Sequence, residues 1–187
     1  MLSERFTQAL TYATQLHATQ VRKGSGVPYI THLLGVTSIA LEYGANEDEA
    51  IAALLHDAIE DQGGAATREE IRRRFGDNVT AIVDGCTDAE TIPKPPWRER
   101  KEAYIAHIPT VSRSVLLVSA ADKLHNARSI LKDYRIVGES VWERFQGRKE
   151  GTLWYYRSLV ETFRQTESSP IFEELERVVL ELEHLAY

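Results

Sequence analysis

Four side chains of metal-ligand type stand out against apolar surroundings: His32, His56, Asp57 and Asp122. The pair His56-Asp57 follows the apolar run Ile51 to Leu55, so two polar groups emerge where a core helix ends. Neighbouring helical positions diverge by about 100°, yet an ion lodged between helices can still collect both. Two imidazoles and two carboxylates form a mixed nitrogen and oxygen set that suits Mn²⁺, Fe²⁺ or Zn²⁺ better than soft-metal chemistry. Taken singly, each of these residues reads more readily as a core histidine or a paired carboxylate. The neighbourhood shifts that balance. Glu60 follows His56 by four residues and Asp61 follows Asp57 by four, which stacks a second carboxylate pair one turn beyond the first. That is where an acid/base or water-positioning group would be needed. A purely solvated role for Glu60 and Asp61 carries a small penalty, because acidic groups at a helix C-terminus oppose its dipole. Asp122 opens a similar cluster, Asp122-Lys123-Leu124-His125-Asn126, whose His125 and Asn126 share its helical face. An aspartate inside a long apolar helix is costly unless it is paired or bound to metal.

The elements that must position these groups are helices. Phe6, Leu10, Ala13, Leu16 and His17 recur at helical spacing behind Ser3 as N-cap. A polar, glycine-containing loop from Thr19 to Pro28 follows. A second helix is expected from Thr31 to Gly44 with Leu33, Leu34, Val36, Ile39 and Ala40 inward. Asn46-x-x-Glu49 has capping-box form and opens a third helix running to about Ile59. Thr67-x-x-Glu70 has the same form, and Gly76 closes that helix after Phe75. Asp77 to Asp84 is a short helical pattern. Gly85 to Trp97, with Pro93, Pro95 and Pro96, reads as a loop or lid. Helices then follow from Trp97 to His107 and from Ser112 to Tyr134, where length outweighs the β-branched Val115 and Val118. Beyond Gly138 two or three more fill the C-terminus, the last with Pro170 in its first turn and Phe172, Leu175, Val178, Val179, Leu182 and Leu185 on one side. The pattern is all-α.

Composition sets the outer bounds. With 187 residues, 43% hydrophobic and 27% charged, the chain is of ordinary globular make-up and fits one domain over 1–187. Lys and Arg total 22 against 28 Asp and Glu, a net charge of −6, so no global field favours nucleic acid. The single cysteine, Cys86, excludes an intrachain disulfide framework and reads as a small packing residue. Neither a spanning apolar stretch nor a signal core is present, so a soluble, cytoplasmic protein without membrane partners is expected. Whether the chain forms a homo-oligomer stays open.

The motif text, in order, is His17-x-x-Gln20-x-Arg22-Lys23, Gly26-x-Pro28-Tyr29-Ile30-x-His32-Leu33, Ala53 to Asp61, Phe75-Gly76, Val83 to Thr87, and Ala121 to Arg128. Over roughly residues 5–130 this resembles the HD superfamily of metal-dependent phosphohydrolases, and more narrowly the hydrolase domain of RelA/SpoT-type alarmone enzymes and their stand-alone small relatives. The resemblance implies an all-helical HD-domain bundle with added C-terminal helices over 139–187. It implies one Mn²⁺ held by His32, His56, Asp57 and Asp122, catalytic roles for Glu60 and Asp61, and nucleotide contacts from Arg22, Lys23 and Asn126. The expected reaction is hydrolysis of the 3′-pyrophosphate of guanosine tetra- or pentaphosphate, releasing pyrophosphate and GDP or GTP. The alternatives are an HD-type phosphatase acting on NADPH or deoxynucleotides, and a nucleotide-binding module without turnover. So dense an anion needs local cations, for which Arg22, Lys23, Lys94, Arg98, Arg100 and Lys101 are candidates, with Lys123 and Arg128 behind them. Interleaved Glu99 and Glu102 make a solvated helix face an equal reading for Arg98 to Lys101. The chain departs from the family text at Leu33, where a proline is usual, and at Asp88, where the long enzymes usually carry a lysine.

Overall fold

A computed structural model describes every residue except 89–92 and 94. The chain forms α1 (Glu4–Leu16), α2 (Ile30–Glu42), α3 (Glu47–Leu55), α4 (Ala58–Asp61), α5 (Ala65–Phe75), α6 (Asp77–Cys86), α7 (Trp97–His107), α8 (Arg113–Val137), α9 (Arg148–Thr166) and α10 (Pro170–Ala186). Short 3₁₀ turns at Ile108–Thr110 and Gly138–Arg144 join the later helices. Among the described residues the extended pairing is one isolated bridge, Val21 with Pro28. Among the described residues no helix is long and apolar enough to cross a membrane.

The hub is α3. Every residue from Ala50 to Leu55 is buried, and the helix packs against α1, α2, α6 and α8. Each fully buried leucine there is worth about 1.5–3 kcal/mol of transfer free energy. Its start is fixed by a complete capping box, with Asn46 Oδ1 accepting from Glu49 N at 3.1 Å and Glu49 Oε2 accepting from Asn46 N at 2.7 Å. Ser3 and Ser112 cap α1 and α8. One continuous apolar cluster runs from Ala9 in α1 to Ala186 in α10.

Several local expectations need correction. The third helix does not run on to Ile59: it ends at Leu55, turns through His56 and Asp57, and restarts as α4. The bond from Asp61 N to Asp57 O (2.9 Å) survives the turn, so Asp61 still stands one turn beyond Asp57. Thr67 and Glu70 form no capping box. Gly63 and Gly64 adopt positive φ (123° and 58°) and start α5 at Ala65, leaving Thr67 inside it with its hydroxyl donating back to Gln62 O at 2.5 Å. The α6 helix extends two residues past Asp84 to Cys86. Leu34 and Leu185 face outward, 47% and 41% exposed, and Ala186 takes the inward position at the end of α10.

Candidate metal centre

His32 projects from the first turn of α2, His56 and Asp57 from the turn between α3 and α4, and Asp122 from the buried middle of α8. Their ends converge. His56 Nε2 lies 3.1 Å from Asp57 Oδ2 and 3.7 Å from Asp122 Oδ1. His32 Nε2 lies 3.5 Å and 3.2 Å from the same two oxygens. The ligand atoms of His32, His56 and Asp57 all fall within 4.8 Å of one another, close enough to share an ion. Asp122 adds its oxygen through its contacts with the two imidazoles. The break between α3 and α4 has a purpose here, since it turns two consecutive side chains toward one point.

The ring orientations suit a cation. His56 Nδ1 lies 2.8 Å from Ala53 O and must donate there, which leaves Nε2 as the ring atom facing the cluster. That Nε2 is buried and makes no well-aligned hydrogen bond, its nearest polar atom being Asp57 Oδ2. His32 Nδ1 sits 2.9 Å from His125 Nδ1. Burial and the neighbouring His32 push His125 down to about 4, so it is neutral near pH 7 and can accept from His32. Burial alone would raise both aspartates. The imidazoles instead hold Asp57 well below the usual carboxylate range, and Lys123 with the imidazoles does the same for Asp122. Two imidazole nitrogens facing two ionised carboxylates without well-aligned hydrogen bonds fit a divalent ion, and the nitrogen and oxygen donors suit a borderline metal.

Each of these groups has an outer partner. Lys123 Nζ donates to Asp122 Oδ2 at 2.6 Å and rests 4.6 Å above the Tyr104 ring. Asn126 Nδ2 donates to Asp122 Oδ1 at 2.5 Å, and Arg22 donates to Asn126 Oδ1 at 2.6 Å. Tyr29 Oη donates to Asp57 Oδ2 at 2.6 Å. Close packing makes this possible: a Cβ on Gly35 would lie 2.3 Å from the His125 ring.

Glu60 and Asp61 follow the cluster on α4. Asp61 Oδ2 accepts from Gln20 Nε2 at 2.8 Å, while Gln20 Oε1 faces His17 Nδ1 at 2.6 Å. Glu60 Oε2 receives Asp88 N at 3.4 Å. The cations divide. Arg22 reaches the cluster through Asn126, and Lys23 lies exposed on the same loop. Arg100 and Lys101 both bind Asp88 Oδ2 at 2.7 Å, and Asp88 reaches Glu60 through its backbone N. Arg98 does not approach; it pairs with Glu102 and stacks on Trp154 at 3.2 Å, on the outer face. Lys123 is committed to Asp122, and Arg128 pairs with Glu174 at the surface. Lys94 lies outside the described residues. Cys86 Sγ sits 3.6 Å from Ser119 Oγ, and burial pushes its thiol up to about 11. It is inert. Sequence reasoning gave no role to Tyr29, Gln20 or His125. The one-turn spacing of Asp122-x-x-His125 puts His125 on the right face without giving it a role, and that of Tyr29-x-x-His32 is the signal that could have found Tyr29.

Known proteins share this fold and family. The HD-domain family model matches residues 9–152. A Xenopus tropicalis protein named guanosine-3′,5′-bis(diphosphate) 3′-pyrophosphohydrolase MESH1 is 42% identical over 126 residues, 66% of this chain and 68% of that protein. The Drosophila melanogaster protein of the same name is 31% identical over 170 residues, 89% of each chain. A solved structure described as a metazoan ortholog of SpoT that hydrolyses ppGpp superposes with a TM-score of 0.81 at 26% identity, over 97% of both chains. This chain belongs to the HD-domain family.

Proposed function

We propose that this chain is a Mn²⁺-dependent cytoplasmic phosphohydrolase that removes the 3′-pyrophosphate from guanosine 3′,5′-bis(diphosphate) and its pentaphosphate counterpart. The observation that carries the reading is the 42% identity, over the motif-bearing two thirds of the chain, to a protein named for that activity. Residues 1–187 act as one domain around the continuous core.

His32, His56, Asp57 and Asp122 hold the ion. A divalent ion bound there acidifies water toward neutral pH and polarises a phosphoryl oxygen. Glu60 and Asp61 orient the attacking water and move its proton, Asp61 held in place by Gln20. Arg22 and Lys23 meet the phosphates or the base from their loop, and Asn126 carries Arg22 and Asp122 in one hydrogen-bonded line. Arg100 and Lys101, shared with Asp88, supply a smaller net positive charge beside Glu60. Hydrolysis between the ribose 3′-oxygen and the pyrophosphate frees pyrophosphate and leaves GDP or GTP.

Side-by-side Mn²⁺ assays with guanosine tetraphosphate, NADPH and deoxynucleoside monophosphates test this. The expected result is release of pyrophosphate, with the highest kcat/KM on the tetraphosphate. A higher value on NADPH or a deoxynucleotide moves the substrate and keeps the metal chemistry. Binding without product on any of the three reduces the chain to a nucleotide-binding module.

A further inference from the structure

We propose that Tyr29 is a positioning residue that tethers Asp57 and thereby couples the metal centre to the loop carrying Arg22. The inference rests on reading the His/Asp cluster as a metal centre. Three of the four ligand side chains are steadied from a helix or from their own turn: His56 by Ala53 O, His32 by His125, and Asp122 by Lys123 and Asn126. Asp57 differs. It stands in the turn between the end of α3 and the start of α4, outside both helices, and unlike His56 in the same turn its side chain has no backbone partner there. Its tether comes from 28 residues away, the Tyr29 hydroxyl on Oδ2, the oxygen that also faces both imidazoles.

Tyr29 is itself held from several sides. Its ring stacks on buried His17 (centroids 5.2 Å apart, planes 15° apart) and meets the His32 ring edge-on at 5.5 Å. Its backbone N donates to Gln20 O at 2.9 Å, and Arg22 N donates to Val27 O at 2.8 Å, which folds residues 20–29 back on themselves. The Arg22 guanidinium lies 5.7 Å from the Tyr29 ring centroid. One short segment therefore carries the Asp57 tether, the Gln20 contact to Asp61 and the Arg22 contact to Asn126. An ion that fixes Asp57 also fixes the loop, and a fixed loop presents Arg22.

The test titrates Mn²⁺ into the metal-stripped full chain, wild type and Tyr29→Phe. The variant keeps both ring contacts and removes the hydroxyl. Its Mn²⁺ dissociation constant should rise about 10–100-fold, the usual cost of losing an outer-shell partner, with the metal-free melting temperature close to wild type. Amide hydrogen exchange over residues 20–29 should slow on Mn²⁺ addition in the wild type and stay fast in the variant at saturating Mn²⁺. A role in packing alone would lower the melting temperature and leave affinity and exchange unmoved. Wild-type Mn²⁺ binding matched by Tyr29→Phe overturns the tether alone. A wild type that takes up neither Mn²⁺ nor Zn²⁺ overturns the metal centre and the tether with it. Should the variant fail to fold, wild-type exchange decides, and absence of metal-linked protection over 20–29 overturns the coupling.

Discussion

Helices α8 and α10 pack along one another, yet they place charge by opposite rules. On its inner face α8 carries Asp122 and Lys123, with side chains only 10% and 14% exposed. On its outer face the same helix carries Arg128 and Arg135, which pair with Glu174 and Glu181 of α10. Every charged side chain of α10 is at least partly exposed, and its buried stripe is apolar from Ile171 to Ala186. A buried ion pair has a desolvation penalty that often matches its attraction, whereas exposed pairs contribute about 0–1 kcal/mol. Stability therefore does not explain why Asp122 is charged. Geometry does, because Lys123 holds one oxygen and leaves the other facing two imidazoles. The α8–α10 seam is scaffold, and the α2–α3–α8 junction is equipment.

Breaking the inner pair should have the largest effect. Asp122→Ala leaves Lys123 buried against Tyr104 without its carboxylate, so about 3–5 kcal/mol of stability should go, together with bound metal and turnover. Metal analysis and thermal melts check both, and full metal content in this variant or in His56→Ala would refute the ligand assignment. Next come Glu60→Gln and Asp61→Asn, expected to retain fold and metal while kcat falls about 10²–10⁴-fold, roughly 3–5 kcal/mol of barrier. Loss of metal in step with activity would make them ligands instead. On the scaffold side, Phe163→Ala removes a fully buried ring stacked on Phe172 at 4.8 Å. It should cost about 3–5 kcal/mol of stability by denaturant titration, with kcat and metal content unchanged where the chain remains folded. Arg22→Ala should raise KM or lower kcat/KM by about tenfold or more with full metal content, from the loss of one charged contact. Arg135→Ala, at the exposed seam, should change stability by about 1 kcal/mol at most and activity not at all.

The His/Asp cluster was legible because charged and imidazole groups are costly in apolar surroundings. His56-Asp57 after Ile51 to Leu55, and Asp122 inside the buried length of α8, both advertise themselves that way. Helix periodicity and caps carried most of the fold, and Asn46-x-x-Glu49 opens α3 as its form implies. Other features depend on tertiary geometry that spacing does not encode. Thr67 looked like a cap until the positive-φ glycines beside it moved the helix start. The cations on α7 shared one sequence block, yet Arg98 points outward while Arg100 and Lys101 turn toward Asp88. Tyr29 meets Asp57 only because the loop folds back, a fact held in the Gln20 and Val27 carbonyls rather than in any motif.

The contact between Gly35 and His125 has a consequence for anyone wishing to make this protein hardier. A helical glycine is a standard target for replacement by alanine, which commonly stabilises by about 0.5–1 kcal/mol. At position 35 the added methyl would land 2.3 Å from the His125 ring, displacing the group that aligns His32. A thermostabilised version guided by helix propensity would choose this substitution early, and it should keep position 35 frozen.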